Sequence, residues 1–352
     1  METPKVWFPG KDSGYRIILA GVIAATVLIA LLSLGVGRYP LSLGDLLRGV
    51  LSLPTPSGNE IGLRILFGVR LPRIIVAVVV GGALAGVGCL FQGIFRNPLA
   101  SPDVLGVAAG SSFGAALAIV LSPRLSLPVW GLAFLFGLLS VFMVLLLAGT
   151  VRGNQVVSLL LSGIIVSAFF SAALSLLKYM ADPMEQLPAI VFWLMGGLHR
   201  ATWPQVVGLL FIVLPGLAVL LALGWKVNIM SLGDEEAISL GVNVAVLRKA
   251  LISLGTLLVA TCVSVGGVIP WVGLVIPHMA RILVGANHQR SLPMSIAMGG
   301  GFLLLVDNLA RTLTPAEIPV GILTALFGAP MFAYLLLWGP LSRGGESGGF
   351  GS

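Results

Sequence analysis

Residues Ile74 to Phe95 read Ile-Ile-Val-Ala-Val-Val-Val-Gly-Gly-Ala-Leu-Ala-Gly-Val-Gly-Cys-Leu-Phe-Gln-Gly-Ile-Phe, without a single charge. About 20 apolar residues in an α-helix cross the ~30 Å hydrocarbon layer of a bilayer. A helix also satisfies its own backbone hydrogen bonds, as lipid demands. The alternation over ten-residue segments that marks a membrane β-barrel is missing. The glycines and alanines let a neighbouring helix come close.

Working outward, the same pattern recurs in Ile17–Gly37, Val104–Pro123, Leu125–Val151, Gly153–Leu177, Ala201–Trp225, Ala250–Ala280 (His278 aside), Ser291–Val306 and Ile318–Ser342. Ala250–Ala280 is too long for one crossing. Pro270 divides it, and a second crossing is expected from Trp271 to about Val284. The expected architecture is all-α, a polytopic membrane protein of about ten transmembrane helices. Composition agrees. Of 352 residues, 57% are hydrophobic and 9% charged, with a mean hydropathy of +1.07. A soluble domain carries about 25% charged residues, so soluble enzymes and nucleic-acid binders are excluded. The 46 glycines are about twice the usual share near 7%.

The first apolar stretch follows Lys5, Lys11 and Arg16 as a signal peptide would. It is followed by Arg38-Tyr39-Pro40 rather than by a small-residue cleavage site, which points to a retained helix. An even helix count puts both termini on one side. That side takes Arg96, Arg152, Lys226, Arg248, Lys249, Arg290 and Arg343 with the N-terminal basic residues, and is read as cytoplasmic. Residues 1–16 form a cytoplasmic N-terminal segment, 17–342 one membrane domain, and 343–352 a flexible tail. Five arginines (Arg38, Arg48, Arg64, Arg70, Arg73) share one loop on the opposite face. Such a patch suits an acidic partner or is a solvated loop. Cys89 and Cys262 lie in apolar stretches and read as small buried hydrophobes.

Gly88, Pro98 and Gly106 recur 179 positions later as Gly267, Pro277 and Gly285. The offset spans five expected helices, so the copies would be inverted, as in many transporters. Between Lys226 and Lys249 the chain is polar. Ser231-Leu232-Gly233-Asp234 reads as a capping box, Glu235 and Glu236 suit the first turn, and Gly241 suits the C-terminal cap. This predicts a short cytoplasmic helix and a second leading into the membrane, at about 231–248. Such a helix transmits force from a soluble partner or simply connects.

The chain has no machinery for chemistry of its own. None of its five lysines sits in a phosphate-binding G-x-x-x-x-G-K-[ST] loop. His and Cys do not cluster as metal ligands, so no metal site and no catalytic residue is expected. Ion-driven carriers place acids within their helices. Here the candidates are Asp307 and Glu317, and Asp307 with Arg311 reads as an i, i+4 surface pair. Energy is expected from another polypeptide. His278 after Pro277 reads as a satisfied histidine at a helix break, and His199 as a loop residue of the outer face. Gln92, Asn97 and Asn154 either line a wet path or bond helix to helix.

Several motifs then fall in order. They are Arg70-Leu71-Pro72-Arg73, Gln92 to Pro102 with Leu105-Gly106, Ser231 to Glu235 with Ala237 and Leu240-Gly241-Val242, Gly273 to Arg281, Asp307 to Arg311, Glu317 to Gly321, and Gly328-Ala329-Pro330. From Arg16 to Trp338 the chain resembles the permease subunits of type II ABC importers for iron-siderophores, haem and vitamin B12, the FecCD/BtuC type.

The resemblance implies a ten-helix, inverted-repeat permease working as a homodimer in a bacterial or archaeal cell membrane. It also implies two ATP-binding cassette subunits carrying ATP and Mg, and one extracytoplasmic substrate-binding protein. By position, Arg70, Arg73 and Arg311 look like binding-protein docking residues. Asp234, Glu235, Glu236, Ala237, Leu240, Gly241 and Val242 look like the coupling helix. Asn97 and Leu99, with Asn154, Gln155, Val156 and Val157 more loosely, look like the cytoplasmic gate. On the residues alone, an ion-driven secondary transporter and a non-transporting scaffold remain alternatives.

Overall fold

The structure, a computed structural model, describes residues 12–37, 60–122, 125, 127–151 and 155–338. Asn154, Arg38, Arg48, most of the N-terminal segment and the C-terminal tail lie outside the described residues.

The long helices are α1 (Asp12–Gly35), α3 (Leu71–Ile94), α5 (Val129–Thr150), α6 (Gln155–Met180), α8 (Trp203–Ala222), α11 (Val244–Gly266) and α13 (His288–Thr312). Among the described residues these seven are long and apolar enough to cross a membrane. Three shorter apolar helices accompany them: α4 (Val107–Leu121), α12 (Val272–Val284) and α14 (Val320–Trp338). The division of Ala250–Ala280 falls where Pro270 placed it. Trp271 caps α12 in a left-handed conformation, φ 72°. Side chains such as Phe211 (81% exposed) and Ile164 (65%) stand on the outside of the bundle, where only lipid suits them.

The α3 helix is the axle. Most of its length is buried, whereas α1 is buried over only 6% of its apolar window and packs chiefly on α13. The reason lies in its small residues. A methyl at Gly81 would sit 2.2 Å from the Gly299 carbonyl oxygen of α13, and one at Gly88 1.8 Å from the Gly273 carbonyl oxygen of α12. Backbones therefore touch on two sides of α3, through the Gly81-Gly82 and Gly299-Gly300 pairs among others. Both cysteines are fully buried and free.

Several expectations change. The axle begins ten residues before the Arg-Leu-Pro-Arg motif, with α2 (Glu60–Ile65) and a π-helical turn, Leu66–Arg70. Pro72 has no N–H for the residue 68 carbonyl, and the widened turn absorbs its ring. Two short helices, α7 (Gln186–Leu194) and α9 (Gly224–Leu232), were not expected. Pro277 does not break the chain: α12 runs through it. The 179-residue offset pairs Pro98 of a non-helical connection with Pro277 inside α12, so it does not relate equivalent elements.

The polar insert forms α10 (Asp234–Ser239), but its capping box does not form. Ser231 belongs to the last turn of α9, where its hydroxyl donates to the Asn228 carbonyl at 2.7 Å. Gly233 takes the N-cap position. The other end is as expected. Gly241 is left-handed (φ 80°), its N–H donates to Ile238, and the Val242 N–H donates to Ala237 at 3.0 Å. This is a Schellman closure.

Gly88→Ala is expected to cost about 1–3 kcal/mol or more by overpacking, seen as a lower unfolding temperature and a smaller monodisperse fraction in detergent. Gly208→Ala, with no atom within 4 Å of the added methyl, is expected to change neither.

Candidate functional site

Charged side chains gather at the two ends of the bundle. At the first end, α3 and α13 run antiparallel and bring Arg73 against Asp307. Arg73 Nε lies 2.9 Å from Asp307 Oδ1, and its Nη1 lies 2.9 Å from Glu317 Oε2. Asp307 is wholly buried. The expected Asp307–Arg311 surface pair is therefore not formed. Arg311 turns to α1 instead, donating to the Ser33 carbonyl and hydroxyl at 2.9 Å and to Asn308. Arg70 donates to the Leu34 carbonyl. All three arginines are buried, at 3–6% exposure, rather than standing in an open basic patch. Their charges sit too deep in apolar helix to be left without acceptors.

Beside them opens a cavity of about 380 Å³ lined by Arg73, Phe192, Leu198, His199, Glu317 and Pro319. Burial, with Arg200 next to it, holds the His199 ring below its ordinary value against the opposing pull of Glu317. With the ring held so, stability is lost as pH falls from the ordinary histidine value of about 6.5 toward the lowered one. Trp203 Nε1 donates to the Phe67 carbonyl at 2.8 Å, tying α8 to the π turn.

At the opposite end α3 stops in a second Schellman closure. Arg96 N–H donates to Gly93 and Asn97 N–H to Gln92, with Arg96 left-handed at φ 49°. The Asn97 side chain accepts the Leu99 N–H at 2.9 Å, and Leu99 stands exposed. Gln92 bonds helix to helix, donating to the Leu274 carbonyl at 3.1 Å. Asp234, at the start of α10, meets Arg248 Nη2 at 2.7 Å and Arg96 Nη2 at 3.6 Å. Arg248 Nη1 donates to Gln155 Oε1 at 2.9 Å. Ala237 is buried, while Glu235, Glu236, Leu240 and Gly241 face outward and Val242 is half-buried. Val157 is exposed and Val156 half-buried. The structure thus brings Asp234 and Gln155 together through Arg248, a residue that sequence reading used only for topology. A basic residue one turn into a membrane helix was its signal.

Sequence reading also passed over Asp103, in a 3₁₀ turn (Pro102–Leu105) folded back against α3 and α12. With Ser101 and Trp271 it lines an enclosed space of about 20 Å³, enough for one water. His278, expected to be satisfied, has a buried Nε2 without a hydrogen-bond partner.

Residues 23–338 match the model of the FecCD transport family. The chain belongs to that family. It is 44% identical over 344 residues to the molybdate import permease MolB of Haemophilus influenzae, covering 95% of this chain and 99% of that one. It is 38% identical over 328 residues to the hemin permease HmuU of Yersinia pestis, covering 92% and 96%. A solved structure reported as an inward-facing ABC transporter assigned to the metal-chelate type superposes with a TM-score of 0.82. It is 43% identical, with 91% of this chain and 99% of that chain covered. This FecCD chain is a multi-pass ABC importer permease and not an enzyme.

Removing one partner of a buried ion pair costs about 3–5 kcal/mol, because the other charge stays buried. Arg73→Ala is expected to lose about that in thermal unfolding in detergent, and the Arg73→Ala/Asp307→Ala double variant to regain much of it. At the other end, the Arg248 hydrogen bond, with its charge and that of Arg96, holds the Asp234 carboxyl below the usual carboxylate value. The stabilisation is complete above about pH 3.9 and is lost as pH falls through the lower folded value. An NMR titration of Asp234 is expected to show that lowered midpoint, and Arg248→Gln to raise it.

Proposed function

We propose that this FecCD permease moves a metal-bearing solute, an iron chelate, haem, cobalamin or metal oxyanion, received from an extracytoplasmic binding protein. Two copies form the path, each with ten membrane helices (the seven long and three short ones) and both termini in the cytoplasm. Two ATP-binding cassette subunits holding ATP and Mg lie below. The Asp234 end then faces the cytoplasm and the Arg73 end faces outward.

The observation that carries this reading is α10. It is a two-turn helix closed by Gly241 at a bundle end, with Ile238 (63% exposed) and Leu240 (60%) turned outward beside Glu235 and Glu236. Exposed aliphatic residues beyond the membrane helices, rimmed by charge, suit a groove on a soluble partner. Asn97 and Leu99, with Gln155, Val156, Val157 and Asn154, are assigned to the cytoplasmic gate.

On the outer face, Arg70, Arg73 and Arg311 are assigned a docking role, Arg73 through the cavity it lines and Arg70 and Arg311 by holding α1 against that end. Arg64 and Arg200, exposed at that end, are the cations that meet a binding protein's acids. Steering by such charges accelerates encounter more than it adds affinity.

The reading is tested in proteoliposomes holding permease and ATPase, with loaded binding protein outside. Uptake of labelled molybdate or a ferric chelate is expected to need ATP. Ile238→Glu with Leu240→Glu is expected to cut it about tenfold or more by removing a buried contact. Uptake that ignores ATP and follows an ion gradient would mark a secondary transporter.

A further inference from the structure

The relation between α10 and the gate segments is specific to four side chains. We propose that Arg248 is a positioning residue that binds the start of α10 to the gate, so that a displacement of Asp234 moves residues 155–157 and residues 96–99 together. The inference rests on the reading of α10 as the coupling helix.

Arg248 enters α11 in its second turn and is buried, its side chain 3% exposed. Its two terminal nitrogens hold two different segments. Nη2 holds Asp234 at 2.7 Å, and Nη1 holds Gln155, the first residue of α6, at 2.9 Å. The guanidinium is a planar fork, so its two bonds cannot move independently. On the other side of Asp234, Arg96 approaches the same carboxylate oxygen at 3.6 Å and lies next to Asn97. One carboxylate thus serves both gate segments, directly on one side and through Arg248 on the other.

Stability does not account for this arrangement. Arg96 and Asp234 are each 41% exposed, and a pair so open to water adds little to stability. A buried arginine also loses hydration that apolar packing would not forfeit. Moreover, Arg96 occupies the left-handed position of a Schellman closure that glycine usually fills, a conformation its Cβ disfavours. The backbone bends against its preference where the side chain meets Asp234. Finally, Arg248 Nε is buried without an acceptor.

The test uses permease and ATPase assembled in lipid nanodiscs, with Leu99→Cys as a reporter. Cys89 and Cys262 are fully buried, so a water-soluble maleimide reads position 99. Labelling is compared without nucleotide and with a non-hydrolysable ATP analogue. With Arg248 intact the two rates are expected to differ about fivefold or more. In Arg248→Gln, and in Asp234→Asn, the difference should shrink to within about twofold, while Arg248→Lys keeps part of it. The Asp234→Asn/Arg248→Gln pair should be no worse than either alone, because both cut one link. Gln155→Ala reports on the link without touching the buried arginine, and should reduce the response too. A full response in both Arg248→Gln and Gln155→Ala would overturn the relay alone. Rates that ignore nucleotide with Arg248 intact would overturn the coupling reading of α10, and the relay with it.

Discussion

Everything in this permease is arranged around backbone-to-backbone contact on α3. A bilayer gives helices no hydrophobic reason to associate, since lipid tails are as apolar as leucine. What remains is close van der Waals contact, and at Gly81 against Gly299 and Gly88 against Gly273 the side chains are gone altogether. The bundle centre is thereby made of surfaces with almost no freedom to re-pack, because a single added carbon has nowhere to go. Gly273 is also the carbonyl that Pro277, four residues on, cannot bond. The packing and the proline of α12 thus belong to one local solution.

Charge is used only where this axle ends, and it is used differently at the two ends. At the Arg73 end both acids and all three arginines of the cluster find partners within the chain, although Arg311 Nε is buried without one. Breaking any of these bonds leaves a charge in an apolar interior. At the Asp234 end the carboxylate and Arg96 face water, and only Arg248 is sunk among the helices. The first cluster is buried in the bundle and the second is half open to water.

How far the sequence could be read follows the same division. Each apolar run became a helix within a few residues of its expected limits, because a bilayer leaves hydrophobic length little other outlet. The Gly241 closure and the Gly81 and Gly299 contacts were legible too, since glycine at those places has few alternative uses. Partner choice was not legible. Asp307 and Arg311 have an i, i+4 spacing that suits a helix pair, yet Arg73, 234 residues away, takes the carboxylate. Ser231 has the spacing of a cap, yet α9 ends later than the pattern implies and absorbs it. For Asp307 tertiary packing supplied a more deeply buried partner than the local one, and for Ser231 the preceding helix supplied its own carbonyl. Asp103 was passed over because it sits just outside a charge-free run, and only the fold shows the 3₁₀ turn tucked back against α3.

These asymmetries bear on how a permease with a rigid centre can still move. If α3, α12 and α13 cannot re-pack, motion must fall on elements held by exchangeable bonds. The π turn at Leu66–Arg70 lies at the fixed end, tied down by Trp203 and Arg70, so it is poorly placed as a hinge despite its irregular backbone. The Arg96–Leu99 connection and the start of α6 have no glycine interlock comparable to Gly88 with Gly273. Both are tied to Asp234, the first through Arg96 and the second through Arg248. Exposed hydrogen-bonded charges exchange partners at a cost near thermal energy, whereas carbonyl-on-glycine packing does not exchange at all. If Arg248 joins α10 to the gate as proposed, movement falls on the Asp234 end and the Arg73 end stays fixed.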